Sequence, residues 1–333
     1  MTTPPEKLPT LSGSVPPVRE WARTFAIGLC MGSADAVPGV SGGTIALIAG
    51  IYGRLIAMIN ALTPTRIVTF LKALTPLDGG FDLRGALYIF DEVDGWFGLA
   101  LVTGIGVAVV AITRAVAYLV DAVPALLFGF FFGLIAVSAV ILLRELSIES
   151  TFQIAAGVVG FVLAFGLAGE QEFLGTGSLL IVFVAGAVAV SAMILPGISG
   201  SLLLVILGQY ARMSKTLSDF IDGLARVATG GPAGQLGQDG LVVVTFIAGG
   251  FVGVFTIGKV VRTALDRNRT ATMTFLVMLV VGALRAPVVA TQAETPNGFT
   301  TEVLLLFAAA AVVGSVFLLV LDWFAVDLDL DSV

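Results

Sequence analysis

Met31-Gly32-Ser33-Ala34-Asp35-Ala36-Val37-Pro38-Gly39-Val40-Ser41-Gly42-Gly43-Thr44 interrupts an otherwise apolar stretch at about 21–60. A second apolar stretch, 178–211, is broken in the same manner at Pro196-Gly197-Ile198-Ser199-Gly200-Ser201. Shifting the chain by 158 residues lays Ser33, Ala34, Pro38, Gly39, Ser41, Gly42, Ile48, Gly50, Tyr52 and Arg54 on Ser191, Ala192, Pro196, Gly197, Ser199, Gly200, Ile206, Gly208, Tyr210 and Arg212. Those are ten identities in twenty-two positions without a gap. Glycine and alanine matches are cheap in such a composition, but proline, tyrosine and arginine in register are not. The two segments are copies of one unit.

Six uninterrupted apolar stretches accompany them, at about 96–120, 124–143, 152–168, 241–260, 273–290 and 303–324. Each approaches the roughly 20 residues of helix that cross a hydrocarbon core. Hydrophobic residues make up 57% of the 333 positions and charged residues 12%, with a mean hydropathy of +1.04. A soluble domain of this size needs far more polar surface. The fold class is therefore an all-α polytopic membrane protein. An interrupted segment that enters and leaves on one side adds an even number of crossings. Three plain spans between the copies then set them in opposite orientations, an inverted-topology repeat of a broken or re-entrant hairpin followed by three transmembrane helices. Repeat 1 covers 19–168 and repeat 2 covers 178–325. Residues 61–95 read as a polar loop with room for a short amphipathic segment, and 229–240 as a flexible loop.

Loop charge sets the orientation. With the N-terminus inside, the cytoplasmic segments carry twelve Lys and Arg residues and the outer segments three, Arg212, Lys215 and Arg226. This positive-inside bias places both termini in the cytoplasm of a multi-pass cell-membrane protein. Residues 1–18, rich in Pro, Ser and Thr and lacking an apolar signal core, read as a disordered cytoplasmic tail. The net charge of -6 and the acidic end (Asp322, Asp327, Asp329, Asp331) suit a high-salt cytoplasm and suggest a halophilic source.

The composition also excludes chemistry. One cysteine, Cys30, rules out a disulfide framework or a thiolate cluster, and there is no histidine. The commonest metal ligand and general base are thus missing, and no cofactor, metal or nucleic-acid partner is expected. Broken helices offer something else. Helix starts inside a membrane carry free N–H groups and Ser or Thr caps, a ready anion site, and such backbone survives only where protein or a polar cavity surrounds it. Ser41, Gly42, Gly43 and Thr44 begin the second half-helix of repeat 1, and Ser199, Gly200 and Ser201 that of repeat 2. A lone Pro-Gly is usually a kink, but two inverted copies with adjacent serines point to a binding site.

Ionisable groups within spans cost about 2.5–3.5 kcal/mol each on insertion scales. Asp35 lies in the first break opposite Met193 in the second, which makes it a candidate for proton or Na⁺ coupling. Arg285, in Gly282-Ala283-Leu284-Arg285-Ala286-Pro287 near the outer end of its span, is suited to hold a phosphate bidentately; snorkelling to head groups is the plainer alternative. Arg54 and Arg212 follow the half-helices at matching places, as gates or as interfacial anchors. Arg114 is within reach of Asp121 or snorkels, and Ser138 is a helix-packing hydroxyl.

Met31 to Thr44 followed by Ile51-Tyr52, and Met193-Ile194-Leu195-Pro196-Gly197-Ile198-Ser199-Gly200-Ser201 with Gly208-Gln209-Tyr210, resemble the paired motifs of the polyprenyl-phosphate transporter family (PopT-like, undecaprenyl phosphate translocases). Gly129 to Gly133 and Gly282 to Pro287 resemble it too, and the likeness runs over roughly 20–325. Ala283-Leu284-Arg285 stands before Pro287 in place of a bulkier, Trp-containing run. The resemblance implies recycling of an undecaprenyl-type lipid phosphate between leaflets for envelope or glycan synthesis, or of a dolichyl type in an archaeal source. Independently, a prenyl tail held by about 0.8 kcal/mol per CH₂ never leaves the membrane. Only its head must cross, which needs a small midplane anion site with alternating access. Two rivals stand beside this. Asp35-x-x-Pro38-x-x-Ser41 distantly resembles the Glu-x-x-x-Pro-x-Ser-Ser motif of undecaprenyl-diphosphate phosphatases, without their histidine. Paired breaks of this kind also line inorganic anion channels and exchangers.

Overall fold

The computed structural model describes residues 15–75, 82–144, 146–170, 178–193, 199–295 and 298–330. Most of the expected N-terminal tail, and Pro196, Gly197 and Ile198 of the second break, lie outside these. The described residues form fifteen α-helices and no strand. In order they are α1 Val18–Ala36, α2 Gly42–Ile48, α3 Tyr52–Ala61, α4 Pro64–Ala73, α5 Leu83–Glu92, α6 Gly95–Ala122, α7 Pro124–Arg144 and α8 Thr151–Gly169. There follow α9 Leu179–Ala192, α10 Gly200–Ile206, α11 Tyr210–Ala228, α12 Leu236–Arg267, α13 Arg269–Gly282, α14 Arg285–Glu294 and α15 Thr301–Leu330.

Among the described residues, six segments are long and apolar enough to cross a membrane: α6, α7, α8, α12, α13 with α14, and α15. They are the six plain spans expected from the sequence. α9, at 14 residues, is about 21 Å long, short of the roughly 30 Å core. α2 and α3 together pass the length test but bend by 115° at their junction. The bend falls at Gly50, whose φ of +69° suits a residue without Cβ, and Gly208, between α10 and α11, repeats the positive φ at +62°. The first interrupted segment is thus broken twice. α10 begins and ends 158 residues after α2, and α11 begins 158 residues after α3.

Some loops expected from the sequence are helical. Residues 61–95 contain α4 and α5, which pack on each other. Thr63 starts α4 by accepting the Arg66 N–H, with Pro64 at the first helical position. Asp82 starts α5 by accepting the Gly85 N–H. The expected loop 229–240 ends early, because α12 starts at Leu236. The span expected at 273–290 is divided by a turn at Ala283-Leu284.

The chain forms two compact units. One holds residues up to Ser33 together with Ile45–Ala108; the other holds Ala34–Thr44 and everything from Val109. In the first, α1 lies against α6, with Gly28 close to the Leu101 carbonyl and Gly32 close to Ile105. Met31, Ala46, Phe97 and Leu101 are its buried apolar centre. In the second, the dominant pairings are α9 with α12, α8 with α13 and α7 with α15. Lipid-embedded helices gain little from apolar burial against one another, so close backbone approach does the work. Gly129-x₃-Gly133 on α7 shows how: a Cβ at Gly133 would sit 2.0 Å from the Ala311 carbonyl oxygen of α15. The core of this unit gathers Ile135, Ala139, Ala164, Leu202, Ile206, Val280 and Ala283 around α10.

Candidate functional site

The first break starts where α1 ends. Val37-Pro38-Gly39 cannot continue the helix, because proline lacks the N–H and Gly39 takes φ +90°. The chain turns and resumes as α2 at Gly42. Asp35, in the last turn of α1, reaches across the turn, and its Oδ1 accepts the Gly42 N–H at 2.7 Å. Gly42 is required by this closeness, since a Cβ there would lie 2.4 Å from the other carboxylate oxygen. Ser41 is half-buried and its carbonyl accepts the Thr44 N–H at 3.2 Å. Gly43 and Thr44 are exposed.

In the second break, Ser199 precedes α10 without a side-chain cap bond. Its hydroxyl shares a hydrogen bond of 2.6 Å with Ser201, and both serines are 5% exposed. Gly200 is buried against the Ala189 carbonyl of α9. No acid stands in the place of Asp35, since the aligned residue is the exposed Met193.

The first break lies on α7, and α10 shares a buried apolar cluster with it. Gly39 lies over the Leu134 backbone, where a Cβ would be 3.4 Å away. Leu202 and Ile206 of α10 pack with Ile135, the next residue. Leu134 and Ile135 are fully buried. Tyr210 ties the two sides: its O–H donates to the Ala36 carbonyl at 2.6 Å, and its ring meets Phe131 edge-on with centroids 5.3 Å apart. The repeat counterpart of this buried tyrosine, Tyr52, is 43% exposed. The copies therefore share a backbone plan and differ in what their side chains do.

The arginines divide. Arg285 opens α14 at the internal turn, ten residues before the helix ends, rather than at the end of its span. Its guanidinium donates to the Phe165 carbonyl at 2.8 Å, lies 4.5 Å from the centre of the Phe165 ring and fills the space beside Gly169. Arg54 belongs to the other unit. It holds Asp94 with two nitrogens, at 2.5 and 2.9 Å, and Glu20 at 3.1 Å, and covers the Phe97 ring. Arg212 lines an open cavity of about 760 Å³ with Lys215, Tyr210 and Gly169. Arg114 pairs with Asp222, and Asp121 with Lys215. The expected Arg114–Asp121 contact is replaced because both charges meet partners on α11, which runs antiparallel to the end of α6. Sequence reasoning missed Tyr210 and the cavity. Tyr210 stood in the aligned repeat, but only tertiary placement distinguishes it from Tyr52.

The family described as VCA0040-like, undecaprenyl phosphate translocase-like, matches residues 31–302, a range that includes both breaks. A polyprenyl-phosphate transporter of Vibrio cholerae is 31% identical over 261 residues, covering 78% of this chain and 75% of that protein. A polyprenyl-phosphate transporter of Staphylococcus aureus is 27% identical over 275 residues, covering 78% of this chain and 83% of the relative. No solved structure matches the chain. With the match spanning most of the chain and both of its broken segments, the protein belongs to the undecaprenyl phosphate translocase-like family.

Proposed function

We propose that the protein moves a polyprenyl phosphate across the cytoplasmic membrane, with the phosphate passing between the two breaks and the prenyl tail staying in lipid. The relatives' shared name supports the substrate class. The bond from Tyr210, two residues after Gly208, to the Ala36 carbonyl at the start of the first break supports a site shared by the two broken segments. Ser41, Gly42, Gly43 and Thr44 from one break and Ser199, Gly200 and Ser201 from the other supply hydroxyls and backbone N–H groups. Arg285 reaches the head group by leaving the Phe165 carbonyl. Asp35 occupies a backbone donor that a phosphate would use, so losing its charge or moving it frees that donor. That exchange couples transport to a proton or Na⁺.

An inverted repeat accounts for the helix pairing. α7 and α8, the second and third plain spans of repeat 1, pair with α15 and α13, the third and second of repeat 2. Such a reciprocal exchange is what a pseudo-two-fold axis in the membrane plane generates. On this plan Arg54 and Arg212 guard opposite faces, both termini are cytoplasmic, and the site opens alternately to each side. The lipid is of the undecaprenyl or dolichyl type, and no hydrolysis is involved.

The test is head-group accessibility of a fluorescent polyprenyl phosphate in liposomes. Purified protein is expected to speed the loss of leaflet asymmetry, and Ser41→Leu or Ser199→Leu to abolish the gain. Halide or phosphate flux without lipid movement would replace this reading with an inorganic anion pathway. Phosphate released from a diphosphate lipid would replace it with a phosphatase.

A further inference from the structure

We propose that the cavity of about 760 Å³ on the first turns of α11 is a separate loading site for a phosphate monoester, held by Arg212 and Lys215. The proposal rests on the transport reading above but concerns a place distinct from the serine-bearing breaks. Tyr210, Arg212, Lys215, Thr216 and Asp219 line the cavity from one helix. Positions 212, 215/216 and 219 recur at the spacing of one helical face. A helix of 19 residues begins there, and Gln209 at its start makes no side-chain cap bond. The cavity thus meets the positive end of a long helix beside two cations, a setting suited to phosphate oxygens.

The opposite wall is acidic. Glu170 and Glu294, at the C-terminal ends of α8 and α14, line it, and Asp219 adds a third carboxylate from α11. These carboxylates oppose anionic charge, a diphosphate more than a monophosphate, so binding here depends on direct contacts with Arg212 and Lys215. The site therefore takes a monophosphate in preference to a diphosphate. Lys215 is held by Asp121 at the end of α6. This pair is exposed, 38% and 68%, where an ion pair contributes little. An arriving phosphate competes for Lys215 on favourable terms. Tyr210, whose hydroxyl holds the Ala36 carbonyl where the first break begins, also lines the cavity. Gly169, on its wall, touches the Arg285 guanidinium. A head group loaded here stands beside the residues that would pass it inward.

The experiment uses the full chain in lipid nanodiscs with Cys30→Ser and Thr216→Cys. A membrane-impermeant maleimide reads the new thiol, and water-soluble geranyl phosphate is the probe. Labelling is expected, geranyl phosphate slows it, and geranyl diphosphate at equal concentration slows it less. Arg212→Gln or Lys215→Gln weakens protection by about tenfold or more, whereas Lys215→Arg retains it. Asp121→Asn strengthens protection, because Lys215 no longer has a competing partner; a merely structural Lys215–Asp121 pair would give no gain. Absent labelling, protection equal in the Gln variants, or equal protection by the diphosphate would overturn the proposal. Protection is measured without transport. A protein that binds geranyl phosphate here but moves no lipid would sink the transport reading alone, and one that moves lipid without protection would sink this one.

Discussion

Asp35 and Tyr210 show how much a single side chain settles in this molecule. Asp35 Oδ1 accepts from the first N–H of α2, so it caps a helix as well as being ionisable. The two roles separate on substitution. Asp35→Asn keeps an acceptor oxygen and is expected to leave thermal unfolding in detergent nearly unchanged while removing the response of lipid movement to an ion gradient. Asp35→Ala loses the cap as well, at about 1 kcal/mol. A gradient response that survives in Asp35→Asn would move the coupling group elsewhere. Tyr210→Phe removes the bond to the Ala36 carbonyl and is expected to cost about 1 kcal/mol. Tyr52→Phe, at the exposed counterpart, costs next to nothing. Equal losses at both tyrosines would contradict the asymmetry of the two copies.

Among the helices, glycine rather than leucine decides which pairs form. Gly133 admits the Ala311 carbonyl of α15, while Gly106 on α6 has nothing within 4 Å of where its Cβ would be. Gly133→Ala is expected to lower stability by roughly 1–3 kcal/mol through forced separation of α7 and α15. Gly106→Ala is the harmless comparison, and matched unfolding curves would decide. The same contrast explains what was legible in the sequence. The six spans and both breaks rest on apolar length and on proline and glycine, which act locally, so they could be read directly. Residues 61–95 suggested room for one short amphipathic segment and hold two, α4 and α5; stretches this short give a weak periodic signal. Their starts were nevertheless written in Thr63-Pro64 and Asp82. Gly50 and Gly208, which both take a positive φ, matched in the repeat, but a lone glycine in an apolar run does not by itself announce a turn. The partners of Arg114, Lys215 and Arg285 were out of reach, because they sit on helices distant in sequence. Nothing but the folded chain chooses among several acids or carbonyls for each.

For the molecule as a whole, the proposed inverted plan assigns each turn between spans to one face. In a Cys30→Ser background, a thiol placed at Asn268, between α12 and α13, is expected to react only from the cytoplasmic side. One at Gln235, before α12, is expected to react only from outside. Labelling of both from one side would leave α12 uncrossed and defeat the inverted repeat. The brevity of α2, α9 and α10 also bears on how the protein is made. A helix of seven residues is far below the dozen or so needed to persist unaided, and α9 is too short to be retained as a span during synthesis. α10 owes its place to Ile135 and Ala164, made before it, and to Val280 and Ala283, made after it. The second hairpin cannot settle until Ala283 has left the ribosome and α13 has docked against α8. Biogenesis of this protein is therefore post-insertional at its centre: the plain spans enter first, and the parts that would handle the lipid head are drawn in last, between walls already standing.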